Sequence, residues 1–322
     1  MATAAPSESL PRPASGGIVA GLTTIPSRLR GQGTGLRPTL RSLAAQTLPL
    51  DAIVVVVPLK SMRGVIPSPD AAAVTASDIA GLQHWYQSNV GWPPLVVFRP
   101  PDDLGPIMKY VGTAEALQAS PGPADTLAAR VSSAVIVDDD RAYPPAFVAS
   151  LAAQAAQAAA KSAGPVVLSQ QTALQRLHPK LLSVFGFAGV WVPVPALLQL
   201  AVRARALAAQ TGGVLPTFAA RNDDVLAAIL LDKAGVRIQR TAASTPRSMS
   251  TDNTQDALSA AAKTTKSLQI MQCHYAYNQP FATTATVVVA VLLALTAALI
   301  VVAGVFVARS EKTRRRKISV QG

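Results

Sequence analysis

Val135-Ile136-Val137 runs straight into Asp138-Asp139-Asp140, and this stretch constrains the chain more than any other. A short apolar, β-branched run without polar alternation reads as a strand buried on both faces, which implies an α/β sheet. Ligands in such sheets bind outside the carboxyl ends of the strands. Adjacent carboxylates at that end repel one another, so a compensating positive charge is expected. Hard oxygen ligands suit Mg2+ or Mn2+, and such an ion also binds substrate phosphates. The stretch therefore points to a metal–diphosphate site, although on its own it equally fits a solvated turn, because Asp is a common turn residue.

The rest of the chain repeats the same alternation. Gly17–Leu22 reads as a first strand, and Arg37–Gln46 as a helix with apolar residues at helical spacing. Ile53–Val57 is a second strand ended by Pro58, Leu95–Phe98 a third, Ala134–Val137 a fourth and Pro165–Leu168 a fifth. Strands alternating with helical stretches imply a mostly parallel sheet flanked by helices. Arg240–Thr254 is rich in Ser and Thr and reads as a mobile loop, and the alanine-rich Leu151–Ala160 as a helix. Residues 1–16 are expected to be disordered and 17–280 to form the globular domain.

The net charge of +12 does not imply nucleic-acid binding, because of where it lies. Arg309–Gly322 holds six Lys/Arg against one Glu, a net +5, and the remaining basic residues are dispersed. Immediately before this tail, Ala285–Ala308 is uncharged and long enough to cross a bilayer. An apolar span against a basic run implies a C-terminal transmembrane helix with its tail at anionic headgroups. The positive-inside rule would put the tail in the cytoplasm and the domain across the membrane. The N-terminus, however, lacks the basic start and apolar core of a signal peptide. Given that missing signal, a single-pass membrane protein with a cytosolic domain is expected. Cys273 is the only cysteine, so no intramolecular disulfide forms; it reads as a small apolar residue.

Gly21-Leu22-Thr23-Thr24-Ile25-Pro26-Ser27-Arg28 followed by Ser42-Leu43-Ala44-Ala45-Gln46-Thr47 resembles the opening of GT-A glycosyltransferases, in particular a family-2-like branch beginning TTIPSR. Three further segments fit in order: Asp103-x-Gly105-Pro106-x-x-Lys109, the aspartates Asp138–Asp140, and Arg221-Asn222-Asp223-Asp224. The resemblance spans roughly Gly17–Gly235 and implies a GT-A, Rossmann-like fold and a nucleotide-sugar donor. By the same resemblance, Thr23, Thr24, Pro26 and Arg28 would face base and ribose. Asp103 and Lys109 would serve the donor side, and Lys109, one turn into a helix opened by Gly-Pro, could also reach a phosphate on physical grounds.

In the family's Asp-x-Asp motif the last Asp binds Mn2+ or Mg2+ directly and the first contacts ribose or the metal through water. That favours Asp140 with Asp138 in support; Asp139 could replace either. Asp224, with Asp223 in reserve, would be the general base of an inverting transfer. Read without the resemblance, the pair is equally a helix cap, and Asn222 leaves its register open. Trp191, within Phe185–Pro193, would stack on an acceptor sugar or be buried. His84, Trp85 and Tyr86 are further acceptor candidates, and His274, near Asn278, a late metal-ligand candidate. The acceptor class (glycan, lipid or protein) stays open, and the membrane is the other expected partner. Two other readings compete. One is a membrane-tethered, catalytically inactive scaffold of the same fold; the other is a nucleotidyltransferase, for which Gly31–Gly35 lacks a nearby Lys.

Overall fold

In a computed structural model of the chain, residues 16–31, 35–59, 74–119, 127–162, 164–170, 189–212, 215, 223–241 and 247–248 are described. All belong to the first of two units, Met1–His274 and Tyr275–Gly322. The apolar segment 285–308, the basic tail, the N-terminal 1–15 and residues Asn222, Cys273, His274 and Asn278 lie outside the described residues. Among the described residues no helix is long and apolar enough to cross a membrane.

The chain opens with β1 (Gly17–Thr23), α1 (Pro26–Leu29), α2 (Leu36–Ala44), β2 (Ala52–Val56), α3 (Ala76–Gln87) and β3 (Leu95–Phe98). A single 3-10 turn (Gly105–Ile107) leads into α4 (Met108–Gln118), followed by α5 (Leu127–Arg130), β4 (Val131–Ile136), β5 (Arg141–Ala142) and α6 (Phe147–Ala160). Then come β6 (Val166–Gln170), β7 (Val190–Pro193), α7 (Val194–Gln210), α8 (Asp223–Lys233), β8 (Arg237–Thr241) and β9 (Arg247–Ser248).

The main sheet has seven strands in the order β3-β2-β1-β4-β7-β6-β8. β1 pairs in parallel with both β2 and β4, and β2 with β3. Only β7 runs against its neighbours β4 and β6, while β6 and β8 are parallel. The chain moves outward from β1 to β3 and then returns to the other side of β1 with β4. That reversal is a topological switch point, where the loops after two adjacent parallel strands part and leave a crevice.

Burial explains why these runs are strands. Every residue of Ala52–Val56 and six of the seven in Gly17–Thr23 are buried, as expected of central parallel strands with helices on both faces. Leu95–Phe98, at the sheet edge, is half-buried throughout. In α2 the buried residues Leu36, Thr39, Leu40 and Leu43 fall on one helical stripe.

Helix α4 is buried along nearly its whole length, between the sheet and α7. Its entry turn needs Gly105, whose φ of +81° suits a residue without a Cβ. Close packing also needs Gly112, where an added Cβ would collide with the Val56 side chain.

One alternative is decided and one expectation corrected. Val190–Pro193 is not a loop but a strand of the main sheet, and Trp191 takes the buried of its two readings: it pairs across to Val135 and Leu168 and is 5% exposed. Its indole packs in the core, where no sugar reaches it. Arg240–Thr254 is also not one loop: Arg240 and Thr241 close β8 against β6, and Arg247–Ser248 pairs with Arg141–Ala142.

Candidate functional site

The switch point brings together four segments that the sequence keeps far apart: the loop after β1, the start of α4, the aspartates after β4 and the start of α8. Asp138–Asp140 follow β4 directly, and the amide of Val137 donates to Gly21 O at 2.9 Å, so the run leaves the sheet beside the end of β1.

Each aspartate meets a cation of the chain itself. Asp138 Oδ1 accepts from Lys109 Nζ at 2.8 Å. Asp139 accepts from the Thr24 hydroxyl at 2.6 Å through Oδ2 and from Arg28 Nη1 through Oδ1. Asp140 accepts from Arg28 Nη2 at 3.3 Å and lies 3.4 Å from Arg141 Nε. The repulsion that suggested a metal is thus largely offset by Lys109, Arg28 and Arg141. The sequence alone does not reveal this, because these cations come from three different segments.

Lys109 is the hub. It is 5% exposed and sits 2.8 Å from Asp138, 2.7 Å from Asp223 and 3.7 Å from Asp224. Burial pulls the ammonium pKa down, but the carboxylates of Asp138, Asp223 and Asp224 outweigh it and hold it well above the usual lysine value. Its charge is therefore fixed, and it is an internal counter-ion rather than an open hand for phosphate. Gly-Pro does open the helix as expected, and Asp103 Oδ1 accepts from the Gly105 amide at 2.8 Å, which makes Asp103 a turn residue.

The loop after β1 faces inward. The Thr23 hydroxyl donates to Val56 O at 3.2 Å, Thr24 is 7% exposed and bonded to Asp139, and Pro26 is buried at the first position of α1. These residues shape the loop, and Arg28 alone among them turns its guanidinium to the aspartates. Burial pushes the Asp139 carboxyl pKa up against the opposing pull of Arg28 and Thr24. At 5% exposure, enclosed by these partners, Asp139 is a strut and the least available ligand of the three.

The segment after the aspartates is clamped by α2. Thr39 donates to Arg141 O at 2.8 Å and Ser42 Oγ accepts from the Tyr143 amide at 3.1 Å. Gln46 donates to Pro144 O at 2.9 Å and accepts from the Val148 amide at 2.9 Å. The Ser-Leu-x-x-Gln-Thr segment thereby acquires a physical role, since it fixes where the strand end, and so Asp138–Asp140, can go. Tyr143 adds to this by accepting the Asp138 amide at 3.1 Å.

Taken together, five carboxylates (Asp138, Asp139, Asp140, Asp223, Asp224) face three cations (Arg28, Lys109, Arg141), which leaves two negative charges among the described residues. Asp138 is the most open, with 32% side-chain exposure against 18% for Asp140 and 25% for Asp224. The Asp223 Oδ2 contact to Lys109 lacks hydrogen-bond geometry, so this buried oxygen keeps an unused acceptor lobe. Among the described residues no group of three or more His, Cys, Asp or Glu is placed to hold a metal ion. One or two carboxylates with substrate phosphates suffice for Mg2+, so the charge excess and oxygen donors fit that mode rather than an all-protein cage.

The other aromatic candidates are packing residues. Trp85, Tyr86 and Trp92 form an edge-to-face cluster beside β3, with ring centroids 4.9–6.2 Å apart. The Tyr86 hydroxyl donates to Pro93 O at 2.9 Å, and Arg37 lies over Trp85 at 5.0 Å. His84 sits near the end of the same helix.

No protein-family model and no curated protein matches the chain. Among solved structures it is similar to a mannosyltransferase from Pyrobaculum calidifontis in complex with GDP-Man and Mn2+, at 17% identity and a TM-score of 0.41, covering 74% of this chain. It spans 58% of that protein's length. A second similar structure is the apo form of mouse xyloside xylosyltransferase 1, at 8% identity and a TM-score of 0.30, covering 71% of this chain and 85% of the other. Both neighbours are glycosyltransferases. At such distance the side chains have to carry the functional reading.

Proposed function

We propose that the chain is a metal-assisted glycosyltransferase of GT-A type that moves a sugar from a nucleotide-sugar donor to an acceptor hydroxyl with inversion. One observation carries this reading. Two acidic motifs distant in sequence, Asp138–Asp140 and Asp223-Asp224, meet around Lys109 at the switch point, with two negative charges in excess among the described residues. Such an excess of carboxylate charge attracts a divalent cation, which one or two carboxylates and the donor's phosphates together suffice to bind.

In this reading Asp138 and Asp140 would hold Mn2+ or Mg2+, with Asp139 keeping Arg28 in place. A bound ion of this kind supplies Lewis-acid stabilisation of the departing diphosphate. Arg28 and Arg141 flank the same carboxylates and limit how far they move. Asp224, less tightly held by Lys109 than Asp223, takes the acceptor proton. The acceptor oxygen bonds to the anomeric carbon as the carbon–diphosphate bond breaks, and the nucleoside diphosphate leaves with the electron pair. Lys109 stays charged beside both carboxylates and offsets part of their negative charge. The domain would be tethered by residues 285–308 and face the cytosol, which protease protection in intact vesicles tests.

The test is a nucleotide-sugar hydrolysis screen with and without Mn2+, run beside calorimetry with nucleoside diphosphates. Metal-dependent turnover that Asp140→Ala and Asp224→Asn abolish, with folding intact, supports the proposal; full activity in Asp140→Ala sinks it. A second reading is favoured by the internal pairing of all three aspartates after β4, namely a scaffold that keeps the fold without turnover. Nucleotide binding without hydrolysis or transfer would select it.

A further inference from the structure

Around β4 and α8 the described carboxylates outnumber the cations they meet. Beyond them, the ends of β1–β3 carry Arg28, engaged by Asp139 and Asp140, Arg30 and Asp78, Asp102, paired with Arg205, Asp103, which caps Gly105, and Arg99. Arg30 pairs with Asp78 through Nε at 3.2 Å and Nη2 at 3.3 Å. Arg99 follows the last residue of β3, and among the described residues it pairs with no carboxylate. Its Nη2 donates to Val74 O at 3.2 Å. Its Nε is buried without a hydrogen-bond partner among the described residues, which leaves the Nη1/Nη2 end as the working edge.

The register places this edge relative to the acidic site. Thr23 pairs with Val56 and Val56 with Phe98, so Thr24, Val57 and Arg99 form the next row beyond the sheet. On the other side of β1, Gly21 pairs with Ile136, which brings Asp139 level with Thr24. Arg99 therefore lies three strand steps of about 4.8 Å, roughly 14 Å, from the aspartates along the same edge. A nucleoside diphosphate with its diphosphate at the aspartates and its base turned toward β3 covers a distance of that order. The nearer side chains are engaged elsewhere, since the Thr23 and Thr24 hydroxyls donate to Val56 and Asp139.

We propose that Arg99 reads the base of the nucleotide, and that the site prefers a base presenting two adjacent acceptors. This rests on the nucleotide-donor reading above and extends it to the choice of nucleotide. The guanidinium end offers parallel N–H donors, which match neighbouring acceptors bidentately. Guanine shows such a pair at O6 and N7, the pairing for which arginine is the commonest partner. Cytosine shows another at O2 and N3. Uracil and adenine alternate donor and acceptor along their edges and satisfy one N–H at a time.

Calorimetry on the full chain with GDP, CDP, UDP and ADP in the presence of Mn2+ tests this, for the wild type, Arg99→Gln and Arg99→Lys. The wild type should bind GDP or CDP about tenfold or more tightly than UDP and ADP, and whichever leads identifies the base. Arg99→Gln should flatten the ranking while leaving UDP, ADP and inorganic pyrophosphate unchanged. Arg99→Lys keeps the charge without the fork and should lose most of the preference as well. An unchanged ranking in Arg99→Gln, or equal weakening of all four nucleotides and pyrophosphate, overturns the assignment. A flat wild-type ranking overturns it while leaving the donor reading intact; no nucleotide binding at all overturns both.

Discussion

Lys109 Nζ lies 2.7 Å from Asp223 Oδ2, and this contact ties the start of α8 to the start of α4. The same ammonium holds Asp138 at 2.8 Å, so one buried side chain carries the geometry of both acidic motifs. Lys109→Met should leave Asp138, Asp223 and Asp224 without their common counter-ion. Breaking a buried pair from one side costs about 3–5 kcal/mol, which urea unfolding at pH 7 measures. The pH dependence has a definite sign. The folded pKa is raised, so the stabilisation is complete below the unfolded lysine value and is lost as pH rises through the folded one. The wild type should therefore show an alkaline loss of stability that Lys109→Met lacks.

Asp139 and Arg28 should behave as a coupled pair. Asp139→Asn keeps an acceptor for Thr24 but removes the charge that holds Arg28, at a cost of about 1.5–3 kcal/mol for a hydrogen bond to a charged group. Arg28→Met should cost a similar amount, and the double variant less than the sum, because the two changes remove one interaction. A double-mutant cycle by chemical unfolding reads this coupling. Strict additivity would show that Asp139 and Arg28 act separately.

The sheet was legible because its central strands are buried on both faces. Such strands appear as unbroken apolar runs, and Gly17–Leu22 and Ile53–Val57 lie within about a residue of the observed elements; the half-buried edge strand Leu95–Phe98 is legible because it too is an uninterrupted apolar run. β7 and β8 were missed for opposite reasons. Val190–Pro193 is short and ends in proline, so it resembles a loop, while Arg237–Thr241 is an edge strand rich in polar residues. At the site, the acids and Lys109 stand out as residue types at motif spacing. Their pairing is hidden in the sequence, because Lys109 meets Asp138 and Asp223 only through the packing of α4 against the sheet and of the 3-10 turn that opens it against α8. Arg99 was invisible for the same reason, since its position above β3 depends on the strand order.

Gln46 should matter to the site without touching it. It is 7% exposed, and its Oε1 accepts the buried amide of Val148 while its Nε2 donates to Pro144 O. Gln46→Ala leaves that amide unsatisfied, at a cost of about 1–3 kcal/mol in urea unfolding. Gln46→Glu retains the acceptor and should recover part of it. Loosening residues 141–148 also releases the strand end that carries Asp140. Affinity for Mn2+ with a nucleoside diphosphate should therefore fall in Gln46→Ala more than in Gln46→Glu.

Asp78 should govern part of the acid response. Its carboxylate accepts the Thr75 amide at 2.8 Å, closing a capping box on α3, and receives Arg30 Nε at 3.2 Å. The Thr75 amide, with Arg30 next in weight, lowers its pKa from 3.8 to about 2. A depressed folded value means that the stabilisation is fully present above pH 3.8 and fades as pH falls toward about 2. Asp78→Ala removes the cap's reciprocal arm and the link to α1, at a cost of about 1 kcal/mol at pH 7. Measured across the acid range, the gap in urea midpoint between wild type and Asp78→Ala should narrow below pH 3.8 and nearly close near pH 2. A gap that stays constant over that interval would show that the ionised carboxylate contributes nothing to the cap.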